Sequence, residues 1–272
     1  MVYCLTTYRR GSNVTSWRKH SEAWNRLLSP MKPAPSDVAH YQQLVGQGPV
    51  MMMGVTQELY PAFDNLTAFD RDEAMIERVW LGDTETKRVT QKDWLSIEFD
   101  TAPNFAGIIG DCAIPMLANI ATMRLFQERC VDWLKPGGVF VQRLFERPTV
   151  AYTRTNLLDI MSKPATINFH AFKWMLCMTI AAESGYQVTD KSRFALFNEL
   201  CKDRDQLAAN TGWTRDAIDT IDLYLDGKNT IAFCDREEYL STIPEHAVDI
   251  QFVNMTDYDL AENCPIMSWR RP

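Results

Sequence analysis

Residues Gly48–Asp70, GPVMMMGVTQELYPAFDNLTAFD, decide the fold. Val50 to Val55 is an apolar run of strand length between Gly48-Pro49 and a polar turn, the pattern of a strand buried on both faces. Thr56 to Phe63 reads as a helix crossing back, and Leu66 to Phe69 as a parallel neighbour ending at Asp70. In open α/β sheets ligands lie beyond the carboxyl ends of the strands, and an acidic residue after the second strand accepts hydrogen bonds from a ribose diol. Gly54 and Asp70 stand at such ends, so the stretch reads as a nucleoside site. A glycine after a strand is common in every doubly wound fold, and taken alone the segment is equally a plain pair of buried strands.

Downstream, RDEAMIERVW places Met75, Ile76, Val79 and Trp80 on one helical face, which puts Asp70 at a strand-to-helix junction. The competing reading makes Asp72 the helix N-cap and leaves Asp70 solvated. Arg88 to Gln91 is a third strand, followed at once by Lys92-Asp93-Trp94-Leu95. A carboxylate beside a flat aromatic suits an adenine, which offers an amine to accept from and a π-face to cover; a loop tryptophan folded onto the core is the alternative for Trp94. Phe105 to Gly110 is a fourth buried strand, with Asp111-Cys112 beyond its end. Pro115 suits the first turn of a helix expected to run to about Leu134. Lys135-Pro136-Gly137-Gly138 then turns the chain into a fifth strand, Val139 to Phe145.

Upstream, Trp17, Trp24, Leu27 and Leu28 fall at helical spacing in Val14 to Leu28, an N-terminal helical cap ended by Ser29-Pro30. Trp17 either packs on the sheet or floors a substrate pocket. A second short helix, Asp37 to Val45, takes Ser36 or Asp37 as its N-cap.

A chain of 272 residues is long enough for one sizeable core. Its formal charge of −7, without a long basic run, argues against a nucleic-acid partner, whose affinity rests on clustered Lys and Arg. No apolar stretch approaches the roughly 18 residues of a membrane span, and MVYCLTTYRRGSN lacks the apolar core of a secretory signal. The expectation is a cytoplasmic protein with no membrane partner. Seven scattered cysteines without a CxxC pair support neither a disulfide framework nor a metal site.

The order of these parts resembles the class I S-adenosylmethionine-dependent methyltransferase family. The matching pieces are VMMMGVTQEL, LTAFDRDEAMIERV, QKDWLSI, FAGIIGDCAIPML and VDWLKPGGVFVQRLF, spanning about residues 49 to 145. The first departs from the family pattern, since Gly54 stands where several glycines are usual. A phosphate-free cofactor does not need the GxGxxG anion nest of dinucleotide enzymes, and none is present. By this resemblance Gly54, Val55 and Thr56 lie along the methionine part of S-adenosylmethionine and Asp70 binds the ribose. Arg71 and Met75 flank the adenosine, Asp93 and Trp94 meet the adenine, and Gly110, Asp111 and Cys112 face the transferring methyl. GDCAIP stands where some nucleic-acid and protein amide methyltransferases of the family carry NPPY, which argues against DNA or protein glutamine as the substrate.

The resemblance implies a Rossmann-like, seven-stranded, mostly parallel α/β sheet with helices on both faces. Asp235 to Ile243 reads as the last helix, Val248 to Met255 as the sixth strand and Pro265 to Arg270 as the antiparallel seventh. The division is a cap over 1–48, a cofactor-binding core over 49–147 and 230–272, and a helical insertion over 148–229 as substrate lid. Within the insertion, Phe169 to Ser184, Phe194 to Cys201 and Thr214 to Tyr224 carry helical spacing. A helical annex without substrate contact is the competing reading.

Methyl transfer is an in-line displacement, so the protein chiefly aligns the partners and excludes water. Where the nucleophile must lose a proton, His170 and Asp111 are the candidate catalytic groups, with a merely hydrogen-bonded helix-terminal imidazole as the alternative for His170. Trp17, Arg143, Phe145, His170 and Trp174 are candidate substrate contacts, Arg143 for a substrate carboxylate. The function expected is methyl transfer from S-adenosylmethionine to a small-molecule N, O or S nucleophile, with S-adenosylhomocysteine as product. A catalytically silent sensor or partner subunit on the same fold is the alternative.

Overall fold

The structure is a computed structural model that describes residues 24–101, 103–225 and 227–272. Trp17 and most of the expected N-terminal helix lie outside the described residues. The first described element with full bounds is α1 (Pro35–Val45), which Ala34 rather than Ser36 or Asp37 precedes as N-cap. Asp37 serves it differently, its Oδ2 accepting the Ala34 N–H at 2.8 Å.

The main sheet holds β1 (Val50–Met53), β2 (Leu66–Asp70), β3 (Lys87–Gln91), β4 (Phe105–Asp111), β5 (Leu134–Arg143), β8 (Val248–Val253) and β9 (Ile266–Arg270). Their order is β3-β2-β1-β4-β5-β9-β8, with β1 to β5 parallel and β9 antiparallel to both its neighbours. This is the seven-stranded, mostly parallel Rossmann-like sheet expected, with an antiparallel last strand. β1 alternates its side chains between two cores: Val50 and Met52 pack beneath α1 with Tyr41 and Val45, while Met51 and Met53 join the larger core on the opposite face. All four are fully buried, as a central parallel strand requires.

Helices α2 (Glu73–Val79) and α3 (Ile120–Trp133) cover the second face through Met75, Val79, Met123, Phe126, Cys130 and Trp133. At Gly107 of β4 an added Cβ would lie 2.7 Å from a Val45 methyl, so the missing side chain is what lets α1 settle on the sheet.

Local departures from the expected elements have physical causes. Thr56 to Phe63 is a series of turns, Leu59 N–H to Thr56 O and Ala62 N–H to Leu59 O, because Pro61 lacks the amide a helix would need there. The helix expected from Pro115 to Leu134 is split into a 3₁₀ turn, Ile114–Leu117, and α3. Ala118 takes the left-handed conformation at φ 62°, and Asn119 restarts the helix by accepting the Thr122 N–H at 2.8 Å. The Lys135–Gly138 turn is drawn into β5 as an irregularity, with Gly137 at φ 73° and a register shift against β4.

Between β5 and β8 the chain forms α4 (Arg154–Met161), α5 (Phe169–Ser184), α6 (Asp190–Leu200), α7 (Arg204–Thr211), α8 (Arg215–Asp219) and α9 (Arg236–Leu240). The segment expected as one helix over Thr214 to Tyr224 is α8 followed by a 3₁₀ turn, Thr220–Tyr224. A small antiparallel sheet, β6 (Gln187–Thr189) with β7 (Thr230–Ala232), was not expected from helical spacing. It brings β7 beside the 3₁₀ turn that follows β4, at the carboxyl edge of the main sheet.

Candidate functional site

Register sets the geometry of that edge. Met53 pairs with Phe69 on one side and Gly110 on the other, so β1, β2 and β4 end together. Gly54 follows with φ 80°, a left-handed turn that glycine takes without strain, and its N–H donates to Phe69 O at 2.7 Å. An added Cβ there would point between Asp70 Oδ2 at 3.6 Å and Trp94 Cζ2 at 3.7 Å. Gly54, Asp70 and Trp94 therefore share one corner.

Asp70 is fully buried at the end of β2. Its Oδ1 accepts the Asp72 N–H at 2.9 Å, whereas Oδ2 has no hydrogen-bond partner. Burial pushes the carboxyl up to about 6, with the Asp72 backbone N–H and, more weakly, the Val55 backbone N–H opposing the rise, the latter short of a full hydrogen bond to Oδ2. A buried acceptor left open is costly and marks a place where a ligand hydroxyl can be satisfied. Asp72 caps α2, its Oδ1 accepting the Ala74 N–H at 3.0 Å as the competing reading expected, but Asp70 is buried and not solvated.

Asp93 and Trp94 divide their work. Asp93 Oδ1 accepts the Leu95 N–H at 2.9 Å, starting a 3₁₀ turn over Trp94–Ser96, and Oδ2 lies 3.7 Å from Arg71 Nη1. Trp94 is folded inward, its Nε1 donating to Phe69 O at 2.6 Å, so it is core-packed and still walls the site. A cavity of about 100 Å³ is lined by Arg71, Asp93, Trp94, Leu95, Met116 and Leu117. Leu95, Met116 and Leu117 were not singled out in the sequence, where nothing in their spacing separates a cavity wall from core. Arg129 of α3 ties this loop down by donating to the carbonyls of Leu95 and Ile97.

Val55, Thr56 and Met75 are all buried beneath the same edge, Met75 within the core of the α2 face. Cys112 sits just past β4 at φ 57°, its N–H donating to Arg143 O at 2.9 Å. Burial pushes its thiol up to about 12, so it is a neutral wall rather than a nucleophile.

Several expected roles are corrected. Asp111 is not poised as a catalytic acid or base: its carboxylate is engaged by Arg143, Nε to Oδ1 at 2.7 Å and Nη2 to Oδ2 at 3.1 Å. Arg143 is not a substrate contact, because it is fully buried, bonded to Asp111 and Pro30 O, with Asp37 Oδ2 3.6 Å from Nη1. Phe145 and Trp174 are fully buried and pack on each other at 4.4 Å between centroids, which makes them a seam between the segment just after β5 and α5. His170, in the first turn of α5, is held down to about 3 by burial and by Lys173. Such an imidazole is unprotonated near pH 7, and its low affinity for a proton makes it a weak base. Tyr41, left undecided by the sequence, bridges the edge: its hydroxyl donates to Gly110 O at 2.7 Å and accepts the Arg143 N–H.

Among the described residues no group of three His, Cys, Asp or Glu could hold a metal ion, and no helix is long and apolar enough to cross a membrane. No family model matches the chain, and no curated protein matches it. Solved structures do. A Rhodobacter sphaeroides protein described provisionally as a zinc-dependent alcohol dehydrogenase aligns at 10% identity over 96% of this chain and 100% of its own, with a TM-score of 0.55. The N-methyltransferase NodS of Bradyrhizobium japonicum WM9 aligns at 14% identity over 96% and 98%, TM-score 0.46. An S-adenosylmethionine-dependent methyltransferase assigned provisionally in Listeria monocytogenes aligns at 10% identity over 88% and 100%, TM-score 0.48. At such identities the likeness concerns the fold alone.

Proposed function

We propose that this chain is an S-adenosylmethionine-dependent methyltransferase acting on a small-molecule N, O or S nucleophile. The observation that carries the reading is Asp70: a buried carboxylate at the end of β2, with one oxygen open, beside a left-handed Gly54 and an acid-edged cavity. The residues fit the cofactor's parts. Asp70 Oδ2 would accept from the ribose diol, and Asp93, with Arg71 and Leu95 around it, would edge the adenine cleft. Gly54 leaves room where a side chain would stand, and the glycine-poor first turn suits a ligand without phosphate.

When bound, the cofactor supplies an electrophilic methyl on a sulfonium. The turn at Cys112, pinned to β5 by its N–H, and Gly110, pinned by Tyr41, would form the fixed wall at the strand ends against which it is aligned. With His170 a weak base and Asp111 engaged, the reading favours nucleophiles that need no proton acceptor from the protein, such as a thiolate or tertiary amine. Residues 148–229 are assigned as the insertion over the active edge, on the ground that its β6 pairs with β7, the strand just beyond it that lies beside Ile114–Leu117, and that Gln187 of β6 donates to Ala118 O, with 1–48 as cap and the rest as core. A cytoplasmic setting agrees with this assignment.

Incubating the protein with cofactor carrying an isotopic methyl and a metabolite extract, then searching by mass spectrometry, tests the reading. A labelled small molecule is expected. A protein that binds the cofactor and consumes none leaves the silent sensor instead.

A further inference from the structure

The cavity lined by Arg71, Asp93, Trp94, Leu95, Met116 and Leu117 has two jaws, and both hang on one helix. Met116 and Leu117 form the first jaw, in the 3₁₀ turn that runs directly into α3. Asp93 to Leu95 form the second, on the 3₁₀ turn that follows β3. Inside that second turn the Ser96 N–H bonds to Asp93 O at 3.0 Å and the Ile97 N–H to Trp94 O at 3.4 Å. So short a turn has no donors of its own for the carbonyls of Leu95 and Ile97, and a helix end left in this state needs partners from elsewhere. Arg129 of α3 supplies them, Nη1 donating to Leu95 O and Nη2 to Ile97 O. Its guanidinium carbon lies 5.1 Å from the centre of the Trp133 ring, one turn further along α3, which steadies the fork from behind.

The residues of the second jaw differ in how they are held. Trp94 is buried and anchors itself through Nε1 to Phe69 O at 2.6 Å. Leu95 lines the cavity yet is 40% exposed, so Arg129 and not core packing fixes its place. Across the cavity from it stand apolar side chains, Met116 and Leu117, whose position α3 sets through the chain itself. Resting on the methyltransferase reading, we propose that Arg129 is a positioning residue for the base of the methyl donor: by tying Leu95 to the helix that carries the opposite jaw, it sets the width of a slot for a flat purine. Width matters because a gap of about 0.5–1 Å forfeits a quarter to a half of the attraction in each contact. Arg129 acts through Leu95 and touches no reacting atom.

The test is calorimetric titration of wild type, Arg129→Ala, Leu95→Ala and Val45→Ala with S-adenosylhomocysteine and with S-ribosylhomocysteine, which carries a hydroxyl in place of the adenine. The ratio of the two affinities is what the base contributes, and the weaker ligand is measured by competition with the stronger. In Arg129→Ala the ratio should fall about tenfold, the size of a charged hydrogen bond lost from the loop. Leu95→Ala, at an exposed position, should lower the ratio in the same direction. Val45→Ala loosens α1 on the opposite face of the sheet, so it should lower stability and leave the ratio unchanged. A ratio unaltered in Arg129→Ala, or altered equally in Val45→Ala, overturns the inference while the methyltransferase reading stands. Wild type that binds neither ligand overturns both. Should Arg129→Ala not fold, Leu95→Ala decides: a ratio equal to that of wild type contradicts the proposal.

Discussion

Asp70 is a residue whose stability and function pull in opposite directions. Its folded carboxyl sits at about 6, above the ordinary 3.8, so the native state holds the proton more tightly than the unfolded chain. That contribution is complete below about pH 4 and lost as pH rises through 6, on the order of 3 kcal/mol in all. Asp70→Asn keeps an acceptor for the Asp72 N–H and removes the charge, so without ligand it should be more stable than wild type at pH 8 and nearly equal at pH 4. Thermal denaturation at the two pH values checks this. The buried carboxylate is the better acceptor for a diol, so cofactor affinity should fall as pH drops below 6. His170 has the opposite sign: its folded value near 3 lies below 6.5, and it costs stability as pH falls through that window. Its imidazole should stay neutral by NMR down to about pH 4, and a resonance titrating near 6.5 would contradict the burial argument.

At the scale of elements, the contact between α1 and the sheet depends on what Gly107 lacks. A Cβ there would meet both Val45 methyls inside 3 Å, so Gly107→Ala should cost about 1–3 kcal/mol by overpacking. Adding Val45→Ala should return part of the loss, and denaturant titration of the double variant measures it. β1, β2, β4 and β5 were legible because buried parallel strands are written as short apolar runs between turn residues, whereas β6 and β7 carry no such run. The α3 break was not: Asn119 signals an N-cap only once the chain before it is known to have left the helix. Pro61 is itself a helix breaker, and it is the residue that marks Thr56 to Phe63 as turns.

Across the whole molecule, the sheet and the segment after it are joined by aromatic packing. Phe145 meets Trp174 at 4.4 Å and Phe233 at 6.1 Å, so Phe145→Ala should cost about 3–5 kcal/mol by denaturant titration, as a core truncation does. Asp70, Asp93 and Gly54 were legible because each follows a strand whose order fixes its place at one edge. Asp37, Tyr41, Asp111, Arg143 and Tyr258 were not legible as a cluster, since only the folded sheet brings α1, two strand ends and a distant loop together. The central claim is that this edge binds S-adenosylmethionine through Asp70, and calorimetric titration of the wild-type protein and of Asp70→Ala tests it most directly. Saturable binding at one site, lost in the variant, is the result expected; wild type without affinity for the cofactor, or a variant that binds as tightly, would contradict it.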